Sequence, residues 1–171
     1  RNWESSLLDF SNFDLVFGHF PIERYRGNPN QYHYVTLMRD PIERIVSHYF
    51  YAKNRPQENV DQRKLKNSYQ KEISLDEMDI VDFAKFKDVK IMYQKYLNNF
   101  QPSDFQLVGF TDHYDQFLLK LRDLLEIEVD TSMHARKGTK QAITPKQERQ
   151  LQRILKDSVE YYEDFRRYWL P

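Results

Sequence analysis

The sequence predicts a single α/β domain in which helices flank a parallel β-sheet. Short apolar segments typical of buried strands alternate with longer segments whose apolar residues recur at helical spacing. This strand, helix, strand order favours parallel pairing, because a helical crossover returns the chain to the same end of the sheet. The length of 171 residues matches one ordinary domain, and we treat residues 1–171 as one unit.

Three segments have the composition of strands. Residues 13–20 (FDLVFGHF) are mostly apolar and run into a glycine, a histidine and a proline. Residues 32–38 (YHYVTLM) and residues 105–110 (FQLVGF) are rich in aromatic, β-branched and aliphatic side chains. We expect these three segments to form the sheet.

A helix is predicted directly after the second strand. Asp40 is placed as its N-cap, Pro41 as its first residue and Glu43 as the reciprocal acid of a capping box. The apolar residues that follow fall on one helical stripe, namely Ile42, Ile45, Val46, Tyr49 and Phe50.

Further helices begin at similar signals. Residues 74–77 (SLDE) form a capping box before a region of helical patterning. Thr111 or Asp112 is expected to cap the helix after the third strand. Thr144 followed by Pro145 predicts the start of a long charged helix near the C-terminal end of the sequence.

Composition narrows the function. The 26 Lys and Arg residues balance 26 Asp and Glu residues, which argues against a general binder of nucleic acid or of a membrane surface. The absence of cysteine excludes disulfides and cysteine-based metal sites. With no Asn-x-Ser/Thr acceptor and no apolar run of about 20 residues, we expect a cytoplasmic, bacterial protein without a membrane segment. A Golgi-lumen ectodomain is the alternative.

Arg39 stands where the second strand gives way to the helix. Ligands of open parallel sheets bind beyond the carboxyl ends of the strands, so a guanidinium there, beside free helix N–H groups, suits a phosphate. Ser47 lies on the flank of the same helix and offers a hydroxyl. Equally open is an ion pair of Arg39 with Asp40 or Glu43, with Ser47 simply solvated.

The segment RDPIERIVSHYF, which begins at Arg39, resembles the 3′-phosphate-binding motif of sulfotransferases that use 3′-phosphoadenosine 5′-phosphosulfate (PAPS). The likeness is to carbohydrate O-sulfotransferases related to the heparan sulfate 2-O-sulfotransferases. It extends to FGHFPIERY, FQLVGFTDHYDQFLLKL, HARKGTK and DSVEYYEDF, and so covers most of the chain. The resemblance implies a P-loop-like sulfotransferase fold.

The resemblance also implies roles for individual residues. Arg39 and Ser47 would hold the 3′-phosphate of the nucleotide. His19 would be the base that takes the proton of the acceptor hydroxyl, which a near-neutral imidazole suits; a satisfied histidine at a strand end is the alternative. A loop would close over the nucleotide, formed by Arg136, Lys137, Gly138 and Thr139, unless this segment is an ordinary solvated basic loop.

The sequence gives weaker evidence for the identity of the hydroxyl acceptor of the sulfuryl group. Arg24, Arg26 and Arg55 lie in loops that would border the cleft, where positive charge suits an anionic glycan or another acidic partner. For each of these arginines taken singly, an ordinary solvated surface position is an equally good interpretation. The predicted partner is a hydroxyl-bearing acceptor, a glycan by resemblance, with no nucleic acid, and the sequence does not indicate an oligomeric state.

One expected part is missing from the sequence. Related sulfotransferases begin with a strand, a loop containing Lys and Thr or Ser, and a helix that together bind the 5′-phosphosulfate. No such loop precedes Phe13. We therefore expect that the first strand and this loop lie upstream of Arg1, which is not a methionine. The alternative is a loss of the loop.

Three functions remain open at this point. The first is a PAPS-dependent O-sulfotransferase, for which no metal is required. The second is a non-catalytic nucleotide- or glycan-binding domain with the same fold. A nucleotide kinase is the third and is disfavoured, because the chain shows neither a Walker-type loop nor assembled carboxylates for Mg²⁺.

Overall fold

The computed structural model describes residues 16, 18, 21–22, 32–54, 77–98, 100–128 and 142–170. The described part is a mixed α/β structure in which helices flank a two-stranded parallel sheet. This confirms the predicted class at the level of an α/β arrangement with parallel strands.

The sheet pairs two of the three predicted strand segments. Strand β1 is Val35–Met38 and strand β2 is Leu107–Phe110. They run parallel, with Val35 opposite Leu107 and Met38 opposite Phe110. Both strands are shorter than predicted. The first predicted strand, residues 13–20, lies outside the described residues except for positions 16 and 18.

The described helices differ widely in length and alternate with the strands. In chain order they are α1 Pro41–Lys53, α2 Ile80–Lys85, α3 Lys87–Lys90, α4 Met92–Leu97, α5 Tyr114–Leu125, α6 Pro145–Ile154 and α7 Lys156–Trp169. Short 3-10 turns at Pro102–Asp104 and Thr111–His113 flank β2.

The start of α1 agrees with the prediction. The Asp40 carboxylate accepts hydrogen bonds from the N–H groups of Ile42 and Glu43, at 2.9 and 2.8 Å, and Pro41 is the first helical residue. The predicted stripe turns inward, with Ile45 and Tyr49 buried. Local capping chemistry and helical spacing therefore account for this element.

The helical region after residues 74–77 is broken into three pieces. Positions 74–76 lie outside the described residues, and Asp79 caps α2 by accepting from the N–H of Asp82 at 2.8 Å. Phe86 has an extended backbone, with φ −59° and ψ 131°, which ends α2 and starts α3. This kink lets Phe83 and Val89 enter the same buried cluster.

The predicted cap of α5 is wrong. The chain forms the 3-10 turn Thr111–His113 after β2, and α5 starts without a side-chain cap. The Asp112 carboxylate is instead bound by Arg166, at 2.6 Å. A long-range ion pair has thus replaced a local hydrogen bond.

The C-terminal helix starts as predicted. Thr144 and Gln147 form a reciprocal capping box, with bonds of 3.2 Å from the Gln147 N–H and 2.9 Å from the Thr144 N–H. The helix is interrupted at Leu155, which is fully buried and separates α6 from α7. In the part of the chain that the structure describes, no helix has the length and apolar character needed to cross a membrane.

A small buried cluster packs Leu107 of β2 with Phe117 and Leu118 of α5, and two larger buried clusters surround the sheet. One joins α1, α2, α3 and α6, and the other joins the end of β1 with β2, α4 and α7. The second cluster contains Met38, Tyr93, Phe110, Tyr162 and Phe165. Met38 and Phe110 are the last residues of the two strands, so this cluster adjoins the carboxyl edge of the sheet and the predicted phosphate-binding residue Arg39.

Candidate functional site

Arg39 lies at the carboxyl edge of the parallel sheet. It follows the last residue of β1 directly, and the pairing of Met38 with Phe110 places the end of β2 at the same edge. Helix α1 begins two residues later. The structure therefore places Arg39 at the strand-to-helix junction where ligands of open parallel sheets bind.

The backbone of Arg39 is held by a tyrosine from α4. The Arg39 N–H donates to the hydroxyl oxygen of Tyr93 at 3.0 Å, and the same hydroxyl donates to the carbonyl oxygen of Arg39. Burial raises the pKa of Tyr93 to about 12, so the hydroxyl keeps its proton at neutral pH. One side chain thus satisfies both peptide groups of Arg39.

The N–H groups at the start of α1 are not free, contrary to the expectation for this junction. The Asp40 carboxylate occupies those of Ile42 and Glu43, and Pro41 has no N–H. A carboxylate at this position is stabilised by the helix dipole and fills the place that a phosphate would take. Any anion at this junction must therefore be bound by side chains.

Among the described residues, the guanidinium of Arg39 makes an ionic contact with Glu43. Nε of Arg39 lies 3.7 Å from a carboxylate oxygen of Glu43, and the two side chains are 40 and 48% exposed. This ion pair is one of the two alternatives that the sequence left open. An exposed pair at this distance contributes about 0–1 kcal/mol, so it competes only weakly with a ligand.

Ser47 continues the row that Arg39 and Glu43 begin. Glu43 and Ser47 are four residues apart on α1 and so lie on adjacent turns of one helix face. Ser47 is exposed. A phosphate bound by both Arg39 and Ser47 would lie next to Glu43, which is between them on this face. The ion pair of Arg39 with Glu43 would then have to break.

Arg44 does not pair with Asp40 as its spacing indicates. Its guanidinium donates to the Val89 carbonyl at 3.2 Å and to the sulfur of Met92 at 2.9 Å, and it lies 5.3 Å from the centre of the Tyr93 ring. Burial lowers the pKa of Arg44. The residue ties α1 to the last turn of α3, where the carbonyl dipoles favour a cation.

A second arginine, Arg166 of α7, lies beside the end of β2, and the sequence did not predict it. Arg166 of α7 binds Asp112 at 2.6 Å and the Tyr162 hydroxyl at 3.0 Å, and it lies 5.4 Å from the centre of the Phe110 ring. The bond to Asp112 and the bond to Tyr162 raise the pKa of Arg166. The i,i+4 spacing of Tyr162 and Arg166 was the only local signal for this cluster.

The two strand ends are linked through aromatic rings. Tyr93 stacks on Tyr162, with ring centres 6.5 Å apart and planes 14° apart. Tyr93 contacts the Arg39 backbone, and Tyr162 contacts Arg166. Nothing in the sequence marks Tyr93, which is 54 residues from Arg39, as its neighbour.

The other predicted site residues lie outside the described residues. They are His19, Arg24, Arg26, Arg55, Arg136, Lys137, Gly138 and Thr139. Of the predicted site residues, the structure therefore describes only Arg39 and Ser47. Among the described residues, no group of three or more His, Asp or Glu side chains is arranged to hold a metal ion.

Comparison with models of protein families, with curated proteins and with solved structures finds no match to this chain.

Proposed function

We propose that this chain is a PAPS-binding sulfotransferase domain that transfers a sulfuryl group to a hydroxyl acceptor, a carbohydrate by resemblance. Arg39 and Ser47 would form the clamp for the 3′-phosphate of the nucleotide. The observation that carries the proposal is the position of Arg39, a partly exposed arginine at the carboxyl edge of a parallel sheet, in one row with Ser47. The motif resemblance supports it.

The side chains present fit a phosphate in part. The guanidinium of Arg39 is partly exposed, and its pair with Glu43 at 3.7 Å is too long for a strong charge-assisted hydrogen bond. A phosphate offers more negative charge than a carboxylate and accepts two parallel bonds from an arginine. The Arg39 guanidinium itself would therefore form a stronger contact with a phosphate than with Glu43.

The carboxylates of Asp40 and Glu43 oppose anion binding at the same junction. Since the helix N–H groups are occupied by Asp40, the remaining stabilisation has to come from other cations. By resemblance, Arg136 and Lys137 would take this role. Their loop would place two further positive charges beside the phosphate.

The proposed chemistry is an in-line transfer. When bound, PAPS supplies the sulfuryl group and leaves as 3′,5′-bisphosphoadenosine with the electron pair of the broken S–O bond. His19 would accept the proton of the acceptor hydroxyl as its oxygen bonds to sulfur. Arg39 and Ser47 would contribute by orienting the nucleotide for this attack.

The clamp is tested by calorimetric titration with 3′,5′-bisphosphoadenosine. Arg39→Ala should weaken binding about tenfold or more, since a charge-assisted bidentate contact is lost. Arg122→Ala is the control, because Arg122 is an exposed arginine of α5 that, among the described residues, pairs with its neighbour Asp123 at 2.8 Å. Equal affinities of the wild type and Arg39→Ala would refute the clamp.

A second substitution tests whether Arg39 binds the nucleotide or only forms an ion pair with Glu43. Glu43→Gln removes the competing carboxylate and should strengthen nucleotide binding by up to about fivefold, the equivalent of one exposed ion pair. If Arg39 only serves that ion pair, Glu43→Gln will leave nucleotide affinity unchanged.

The catalytic part is tested in a form of the protein that transfers sulfuryl groups. His19→Ala should abolish transfer while nucleotide affinity stays at the wild-type value. Retained turnover in His19→Ala would remove this histidine from the mechanism. A wild type that binds the nucleotide but transfers nothing would favour the non-catalytic alternative.

A further inference from the structure

The turn at Arg39 and Asp40 lies between two regular hydrogen-bond patterns. The ladder of β1 ends at Met38, and α1 starts at Pro41, whose ring removes an N–H. Asp40 has φ −46° and ψ 129°, which is not helical. The peptide groups of Arg39 therefore need partners from elsewhere in the fold.

Tyr93 supplies those partners. Its hydroxyl accepts from the Arg39 N–H at 3.0 Å and donates to the Arg39 carbonyl oxygen. Both peptide groups that flank the Arg39 Cα are thus tied to one atom of a buried ring that is 8% exposed. Because these groups define φ and ψ of Arg39, the contact fixes the direction in which its side chain leaves the backbone.

We propose that Tyr93 is a positioning residue for nucleotide binding, which orients Arg39 along α1 towards Ser47 through its two backbone hydrogen bonds. This inference rests on the proposed function and deepens it. Tyr93 does not touch the ligand in this arrangement, and it acts only through Arg39.

The ring of Tyr93 is itself held from two elements. Arg44 of α1 places its guanidinium 5.3 Å from the ring centre, and Tyr162 of α7 stacks on the ring at 6.5 Å. Tyr162 in turn accepts a bond from Arg166, which binds Asp112 beyond the end of β2. A continuous series of contacts therefore runs from the Arg39 backbone to the neighbouring strand end.

The test uses Tyr93→Phe and two nucleotides that differ by one phosphate. Dissociation constants are measured for 3′,5′-bisphosphoadenosine and for adenosine 5′-phosphate, and their ratio reports the contribution of the 3′-phosphate. The substitution keeps the ring and removes the hydroxyl. It should reduce this ratio roughly fivefold to tenfold while the affinity for adenosine 5′-phosphate stays unchanged.

Tyr161→Phe is the matched control. Its hydroxyl donates to the Phe100 carbonyl at 2.9 Å, so the substitution also removes one tyrosine hydrogen bond from the same cluster without touching Arg39. A general loss of packing would affect both variants and both nucleotides alike. The expected result is an unchanged ratio in Tyr161→Phe.

The outcomes separate the inference from the proposed function. A wild type without any preference for the bisphosphate contradicts the proposed function. A wild type with that preference, and Tyr93→Phe with the same ratio, overturns the positioning role alone. If Tyr93→Phe does not fold, Tyr162→Leu, which removes the ring that stacks on Tyr93, is measured instead and should also lower the ratio; an unchanged ratio there overturns the inference.

Discussion

Replacement of Tyr93 by phenylalanine should lower the stability of the protein at neutral pH. The change removes the acceptor of the Arg39 N–H and the donor to the Arg39 carbonyl, both of them at a partly buried turn. A typical net hydrogen bond contributes about 0.5–1.5 kcal/mol, and an unsatisfied buried group costs about 1–3 kcal/mol. We therefore expect a loss of about 1–3 kcal/mol at pH 7.

The size of this loss should depend on pH in a defined direction. Burial raises the pKa of Tyr93 from 10.0 to about 12 in the folded state. A pKa that is raised by folding adds stability below the unfolded value, near 10, and this stability disappears as pH rises through the folded value. The wild type should therefore lose about 2–3 kcal/mol between pH 10 and 12 relative to Tyr93→Phe.

The measurement is urea denaturation of both proteins from pH 7 to pH 12. The difference between their free energies of unfolding should be constant up to about pH 9 and should then shrink. Tyr161 also has its pKa raised to about 12 by burial, so the comparison with Tyr93→Phe isolates the contribution of Tyr93. A difference that stays constant through pH 12 would refute the assignment of Tyr93 as a buried, protonated donor.

Two further predictions concern Gly109, which lies in β2, and Asp112, which lies in the 3-10 turn after it. Gly109→Ala should cost about 1–3 kcal/mol in urea denaturation, because its Cβ would lie 2.2 Å from Phe117 Cδ2 and 2.8 Å from Phe117 Cβ; the cost should fall in a Phe117→Leu background. Asp112→Asn should cost at most about 1 kcal/mol at pH 7, since its pair with Arg166 is partly exposed, and the difference from the wild type should shrink as pH falls from about 4 through the lowered pKa of Asp112.

The direction of the Asp112 prediction follows from opposing effects on its carboxyl group. Burial acts to raise the pKa of Asp112, but the hydrogen bond and charge of Arg166 outweigh it and lower the pKa below its usual value. A pKa lowered by folding adds stability above the unfolded value, near 3.9, which is lost as pH falls through the folded value. An Asp112→Asn difference that stays constant as pH falls below about 4 would contradict the charge contribution.

Local chemistry explains which parts could be predicted. Asp40, Pro41 and Thr144 determine helix starts through neighbouring side chains and backbone groups, so a short window of sequence contains the whole cause. The position of Arg39 at the sheet edge follows from the same window. These are the features that the structure shows as expected.

Tertiary contacts explain what could not be predicted. Arg44 is spaced to pair with Asp40, yet its guanidinium is bound to the end of α3. Asp112 is placed to cap α5, yet it binds Arg166, which lies 54 residues away in the chain. In both cases the side chain binds a partner that is distant in the sequence instead of the local one. The spacing of residues in the sequence does not indicate the distant partner.

The interruption at Phe86 has the same origin. Its segment has helical patterning, but an extended residue lets Phe83 and Val89 share one cluster. Burial of apolar side chains outweighs the continuity of a helix.

The most direct test of the phosphate clamp compares two nucleotides on two proteins. The dissociation constants of 3′,5′-bisphosphoadenosine and adenosine 5′-phosphate are measured for the wild type and for Arg39→Ala at one salt concentration. The proposal predicts that the wild type prefers the bisphosphate by about tenfold or more, and that Arg39→Ala loses this preference. An equal preference in both proteins would contradict the assignment of Arg39 to the 3′-phosphate.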